Sequence, residues 1–547
     1  MNTTFKTLGI VRITFLSIVL VMLSFSSESL RAATTAKEEE GSAKMCAAVR
    51  GNGARIYVHF GSLAKFHETY GMLWGISGGS SGSVVSYFVE SMYANPLLTD
   101  CGNGQPCSKD ETAARAALLM KTFASEPEAL KDFPDSAAFF LPLQVTKEIT
   151  RRNVSELLTK NPAEGVKQFT EIIETPGVGE YVNPEIKSAM AHATDLPAMV
   201  SDLVTGILNA SDYTLESYRS LLRPGLTSFF SLTESLGRVG TFYAGTGSGI
   251  DREAMQQFFQ ACATPGRGKE WGDVSQMRVG NSTCGDVFKE QLKNYYATAA
   301  TANPKIPNRA DQRVGSLNGL HVLVSVTQMG DASAVMLKEA QSAYLQQRPI
   351  NWNPNFKDWS VAYAGSDADL DLLLKNVNGY TDLKTSRTRR FRDISWRQMI
   401  LRSPAEPGTS RALRMLLGTV STGGWMDGQP VLALKNIGCD EVVLFDTVPN
   451  VSYQARVAEL FGATKADQDA LFAFDQPNSS LALSVREADG VWCVDWNQPH
   501  LNTTNAMAAE GWKGAFEVRS PRLATLAKGK LDMITPPQKS ICTAPFR

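Results

Sequence analysis

The chain has 547 residues with ordinary apolar and charged content, enough for one large domain with insertions or for two to three domains. A formal net charge of −1 supplies no global field to recruit nucleic acid, so no nucleic-acid partner is expected and any electrostatic preference must be local.

Taken in chain order, residues 1–33 read as a secretory signal peptide. Lys6 and Arg12 precede the apolar run ITFLSIVLVMLSF (13–25), and small residues follow around Ala32 and Ala33. The run is shorter than the ~20 residues that span a bilayer, with an uncleaved signal anchor as the alternative. The expected destination is secreted, or lumenal within the endomembrane system. Eight cysteines (46, 101, 107, 262, 284, 439, 493, 542) all lie downstream of this segment, as an oxidising compartment predicts. Spacing favours Cys101 with Cys107 and Cys262 with Cys284. None forms a CxxC, which argues against structural zinc. Sequons at Asn153, Asn209, Asn281, Asn450, Asn478 and Asn502 suit glycosylation in a eukaryotic host.

The stretch KMCAAVRGNGARIYVHFGSLAKFHETYG (44–71) predicts a short strand, a Gly-containing turn and a helix, and MLWGI (72–76) predicts a second strand. GISGGSSGS (75–83) has the composition of a linker, yet a strand precedes it and the helical spacing of VVSYFVESMY (84–93) follows, so the order is strand, tight turn, helix. Residues 97–318 carry mostly helical patterns and read as a large, mainly helical insertion. Apolar strands return at HVLVSVTQ (321–328), WSVAYAG (359–365) and EVVLF (441–445), so an α/β sheet resumes. After 446 only READGVWCVDW (486–496) suggests a strand.

Two G-x-S-x-G frames overlap in the glycine-serine segment: GISGG centres Ser77 and GGSSG centres Ser80. Such an elbow ends a strand and opens a helix, and its strained serine tolerates only tiny flanking residues. Ser77 still belongs to the strand, whereas Ser80 falls at the turn, at the amino end of a helix where the dipole and free N–H groups favour a developing oxyanion. Ser80 is therefore the candidate nucleophile, with Gly78 and Gly82 making the elbow. GNGAR (51–55) is a second Gly-containing turn after a strand, and amides of such a loop are suited to line an oxyanion hole.

On these residues the region from Val49 to Met92 resembles the patatin-like phospholipase family. GNGARIYVHFGSLAKF stands where that family has its G-G-G-x-R-G loop and following helix, with His59, Gly61 and Leu63 at similarly filled positions, and ISGGSSGSVVS stands where it has its elbow. Downstream, ILRSPAEPG (400–408) and MDGQPVLALKNIGCDEVVLF (426–445) look like the segments around the family's D-G dipeptide, here Asp427-Gly428. Asn52 and Ile56 depart from the pattern, each replacing a glycine. The likeness covers about 49–96 and 320–446.

The resemblance implies a patatin-like three-layer α/β/α sandwich with the helical insertion. Its parts would be 34–96 and 319–446 as the catalytic halves, 97–318 as the insertion and 447–547 as a C-terminal extension. It implies a lipid acyl hydrolase with a Ser80–Asp427 dyad and an oxyanion hole of Gly51, Asn52 and Gly53. Arg55 would orient the loop or meet lipid phosphate. No cofactor and no metal are implied. The partner would be a phospholipid or other acyl lipid, with a membrane surface as its source. Two rivals stand beside this. One is a catalytically silent member that binds lipid or protein; the other is an α/β-hydrolase using His500, for which too few strands precede Ser80. A dyad gives His59 and His67 no role, so both are expected to be packing residues. KTSRTRRFRD (384–393), with Arg397, is a cationic cluster that either meets anionic head groups or is a solvated loop, and DADLD (367–371) reads as an exposed, helix-capping acidic segment.

Overall fold

The structure, a computed structural model, describes residues 43–51, 56–102, 104–126, 152–175, 184–208, 232–263, 277–301, 308–329, 360–375, 389–404, 427–447, 480–495 and 503–527, with isolated residues and short stretches between them. Residues 1–33, and with them the expected signal peptide, lie outside this set.

The strands are β1 (Met45–Val49), β2 (Gly75–Gly79), β3 (His321–Met329), β4 (Ser360–Gly365), β5 (Arg389–Phe391), β6 (Glu441–Thr447), β7 (Gly490–Val494) and β8 (Ala515–Val518). They form one sheet in the order β8-β7-β6-β1-β2-β3-β4-β5, to which two short strands, Leu413–Arg414 and Val420–Ser421, are added antiparallel at the Met329 end of β3. The five strands from β7 to β3 are mutually parallel, with β4 and β8 running against their inner neighbours. The fold is thus mixed α/β around a mostly parallel sheet. Residues such as the MCAAV of β1 are buried throughout, as strands covered on both faces must be.

The second strand lies at Gly75–Gly79 rather than over the more apolar 72–76. Parallel partners on both sides, β1 and β3, supply its ladder and override the poor strand propensity of glycine.

Helices connect and cover these strands: α1 (Ile56–Tyr70), α2 (Ser81–Tyr93), α3 (Lys109–Phe123), α4 (Val154–Lys160), α5 (Pro162–Glu174), α6 (Pro184–His192), α7 (Leu196–Leu208), α8 (Leu232–Tyr243), α9 (Arg252–Cys262), α10 (Cys284–Thr301), α11 (Asp367–Lys375), α12 (Trp396–Arg402), α13 (Val431–Ile437), α14 (Ser480–Glu487), α15 (Thr504–Trp512) and α16 (Pro521–Ala527). Strand alternation assigns the faces. Phe445 of β6 meets Phe66 of α1 edge to face and is the register partner of Val49, so Val49 faces α1. The neighbouring row, Ala48 with Ser77, faces the other way, and there Ser77 Oγ donates to the carbonyl of Pro430, the residue before α13. Helices α1 and α13 therefore cover opposite faces.

Among the described residues of 97–318 the structure is helical apart from a short 3-10 turn at each end and a two-residue hairpin, Arg278–Val279 with Ser282–Thr283. Much of it is continuous with the core. Phe88 of α2, Phe123 of α3 and Tyr243 of α8 pack ring against tilted ring in succession, and Phe242 of α8 meets Phe288 of α10. Helices α4, α5, α6 and α7 share a satellite core of their own, around Phe169, Ile172, Val200 and Val204.

Described segments after residue 447 join the main sheet and its helical cover. Strands β7 and β8 extend the sheet beyond β6, and α15 packs on α1 so closely that a Cβ at Gly61 would stand 1.8 Å from the Ala508 carbonyl oxygen. Disulfides join Cys101 to Cys107 and Cys262 to Cys284, as spacing suggested, and Cys46 to Cys439, which spacing did not reveal. No helix among the described residues is long and apolar enough to cross a membrane.

Candidate active site

Strand β2 ends at Gly79 and α2 begins at Ser81, leaving Ser80 at the turn. Ser80 has φ 53° and ψ −131°, a backbone conformation that a side-chain-bearing residue adopts only when its surroundings enforce it. The enforcement is visible. A Cβ on Gly78 would lie 2.2 Å from the carbonyl oxygen of Gly82, and one on Gly82 would lie 2.3 Å from that of Val49, so the turn is pressed onto the end of β1. Ser83 fastens the first turn of α2, its amide and hydroxyl both donating to the Ser80 carbonyl at 3.0 and 2.6 Å. Ser77 lies within β2, fully buried, its hydroxyl spent on Pro430.

Gly51 follows β1 and borders the serine: a Cβ there would sit 3.2 Å from Ser80 Oγ. Its amide donates to the Gly428 carbonyl at 3.3 Å, so of the three amides expected at an oxyanion hole this one ties two loops together in the conformation described. Asn52, Gly53 and Arg55 lie outside the described residues. Ile56, the β-branched departure from the family pattern, is the first residue of α1 and is buried.

Asp427 reaches the same place from the far end of the chain. It is 1 % exposed, and the turn it opens is gripped by three strands. Ser77, Gly79, Ser325 and Tyr363 share one face, because Gly79 pairs with Ser325 and Ser325 pairs with Tyr363. From that face Ser325 Oγ donates to the Asp427 carbonyl at 2.5 Å, the Tyr363 hydroxyl donates to Asp427 Oδ2, and Ser77 holds Pro430. A Cβ on Gly79, the residue before Ser80, would lie 2.7 Å from the Asp427 carbonyl oxygen and 3.0 Å from Gly428 Cα. Ser80, Gly51 and the Asp427-Gly428 dipeptide thus converge beyond the carboxyl ends of β1 and β2, beside the middle of β3.

Strand order reverses between β1 and β6, the point where open parallel sheets place their ligand crevices. Arg50 and Asp446 form a buried ion pair there, Nη1 to Oδ1 at 2.8 Å, each following directly on the register pair Val49 and Phe445. His59 Nε2 donates to the Arg50 carbonyl at 2.8 Å, and burial pushes its pKa down to about 4, so the ring is neutral at pH 7 and braces the start of the loop. His67 is likewise buried and lowered to about 4. It donates from Nδ1 to Leu63 and accepts from Tyr93, whose oxygen in turn accepts the Leu73 amide. Neither histidine has a hydrogen bond to Ser80 or Asp427.

The cationic cluster and the acidic segment answer each other. Arg392 pairs with Asp367 and Asp371, Arg397 with Asp311, and Asp369 with His321 and Ser366, so these arginines are engaged by carboxylates. Residues 384–388 and His500 lie outside the described set.

Sequence reasoning missed Ser325, Tyr363, Arg50 and Asp446. The first two carried a faint signal as polar side chains inside otherwise apolar strands. No protein-family model matches the chain, and a search of curated proteins returns no similar sequence, so the residues themselves carry the functional argument.

Proposed function

We propose that the protein is a secreted or lumenal patatin-like lipid acyl hydrolase that cleaves fatty-acyl esters through Ser80 and Asp427. The observation that carries this is the strained Ser80, at φ 53° between a parallel strand and a helix, bordered by Gly51 and by the turn that Asp427 opens. Ser80 Oγ attacks the ester carbonyl, its proton passing to the Asp427 carboxylate. The tetrahedral oxyanion is held by amides of the loop after β1, with Asn52 and Gly53 as donors since the Gly51 amide is bonded to Gly428. The carbon–oxygen bond to the alcohol breaks, Asp427 returns the proton to the departing oxygen, and an acyl-serine remains. Water then attacks that acyl group, giving its proton to Asp427, and Ser80 leaves protonated as fatty acid is released. Arg55 is positioned in sequence to orient the loop or to meet a phosphate. The substrate is a phospholipid or another acyl lipid presented at a membrane surface.

The engaged Gly51 amide favours one second reading, a silent member that binds lipid without turning it over. Fatty-acid release from phosphatidylcholine vesicles separates the two. Hydrolysis that disappears in Ser80→Ala and in Asp427→Asn is expected, and hydrolysis persisting in Ser80→Ala overturns the assignment.

A further inference from the structure

We infer that Tyr363 is a positioning residue for the Asp427 carboxylate, part of a two-strand grip that fixes the general base before substrate arrives; this rests on the dyad proposed above. Tyr363 of β4 and Ser325 of β3 are direct cross-strand partners, so their side chains leave the same face of the sheet side by side. Both take hold of Asp427, by different atoms. Ser325 Oγ donates to its main-chain carbonyl at 2.5 Å, and the Tyr363 hydroxyl donates to Oδ2 of its carboxylate. One bond fixes where the residue sits and the other fixes the rotation of its side chain. Ser325 is itself steadied, its carbonyl accepting the Ser403 hydroxyl at 2.7 Å.

All three grip residues are buried, with Tyr363 and Ser325 at 0 % and Asp427 at 1 % exposure, so water does not compete for these bonds. A carboxylate with one oxygen held by a phenol presents the other in a fixed direction. The serine proton then goes to an oxygen already in place, and the Tyr363 proton stays on the phenol throughout. In a dyad no histidine separates nucleophile from base, so the direction of this carboxylate decides the efficiency of the transfer.

The test is a mutant cycle on the full chain, read by turnover of a p-nitrophenyl acyl ester and by the rate of fluorophosphonate labelling. Tyr363→Phe removes only the hydroxyl. It is expected to lower kcat roughly ten- to hundredfold, the loss that follows from deleting one hydrogen bond to a charged group, with KM within about twofold of the parent. In an Asp427→Asn background the same substitution is expected to slow labelling no further, because its effect runs through the carboxylate. A core-filling role predicts instead an equal loss in both backgrounds, and that result, or a parental kcat in Tyr363→Phe, overturns the inference. Ser325→Ala serves if Tyr363→Phe does not accumulate folded; a smaller drop in kcat at constant KM is expected, and full activity counts against the grip. Turnover or labelling undiminished in Ser80→Ala would remove the dyad itself, a result distinguishable from failure of the grip alone.

Discussion

Ser80 adopts its positive φ because Gly78 and Gly82, two residues to either side, let three backbone segments meet where no side chain fits. Gly82→Ala places a methyl 2.3 Å from the Val49 carbonyl oxygen, a main-chain atom that cannot swing aside. The expected cost is about 1–3 kcal/mol of stability, with loss of Ser80 reactivity, seen as a lowered melting temperature and slowed probe labelling. The same residue scale sets a pH dependence. His59 and His67 protonate near 6.5 when unfolded and near 4 in the fold, because burial disfavours the charged ring. Between those values the unfolded chain binds more protons, so stability is complete above about pH 6.5 and falls as pH drops toward 4, by up to ~3 kcal/mol per histidine. Denaturant midpoints measured from pH 7 to 4 are expected to decline, less steeply in His67→Gln; a flat profile contradicts the burial argument. The turn at Ser80, with Gly78 and Gly82, is legible in the sequence because a glycine-bounded turn carries its geometry locally, whereas Asp427 is singled out only by the family resemblance. Ser325 and Tyr363 are not legible there, because their meeting with Asp427 depends on strand register across separations of 102 and 64 residues.

Among elements, the closest packing lies between α1 and α15. Gly511 would put a Cβ 1.9 Å from the Val58 carbonyl oxygen, and Ser62 Oγ donates to the Gly511 carbonyl at 2.9 Å, so the two helices touch backbone to backbone. Gly511→Ala is expected to force them apart at a cost of about 1–3 kcal/mol, read as a lower urea midpoint, whereas an unchanged midpoint means that the pair yields freely. This contact also explains a limit of sequence reading. Strands β1, β3, β4 and β6 announce themselves through short apolar runs, and the helices through their periodicity. The AFEV of β8 is four residues long and only partly buried, and nothing local says that it pairs with β7 or that α15 returns to α1. MLWGI misled in the other direction, since apolar content pointed three residues too early while pairing from both sides drew the glycines into the strand.

At the scale of the whole molecule, the Cys46–Cys439 disulfide joins the beginning of β1 to the approach of β6, across a separation of 393 residues, at the opposite end of these strands from Ser80. Replacing both cysteines by serine is expected to cost about 2–5 kcal/mol, measured as a fall in melting temperature, and stability unchanged by the replacement would show that packing alone holds β1 to β6. The three disulfides between described residues fit an oxidising compartment, as cysteine usage suggested. The distribution of the candidate site over the chain follows from the topology: the proposed nucleophile comes from the first 80 residues and its proposed base from beyond residue 420, in a sheet where β1 lies between β2 and β6. The most direct measurement on the central claim is peptide mapping of the protein after reaction with a fluorophosphonate. A single adduct on Ser80 is the expected result, and an adduct on Ser77, Ser81 or Ser83 instead, or ester turnover with no adduct in this segment, would contradict it.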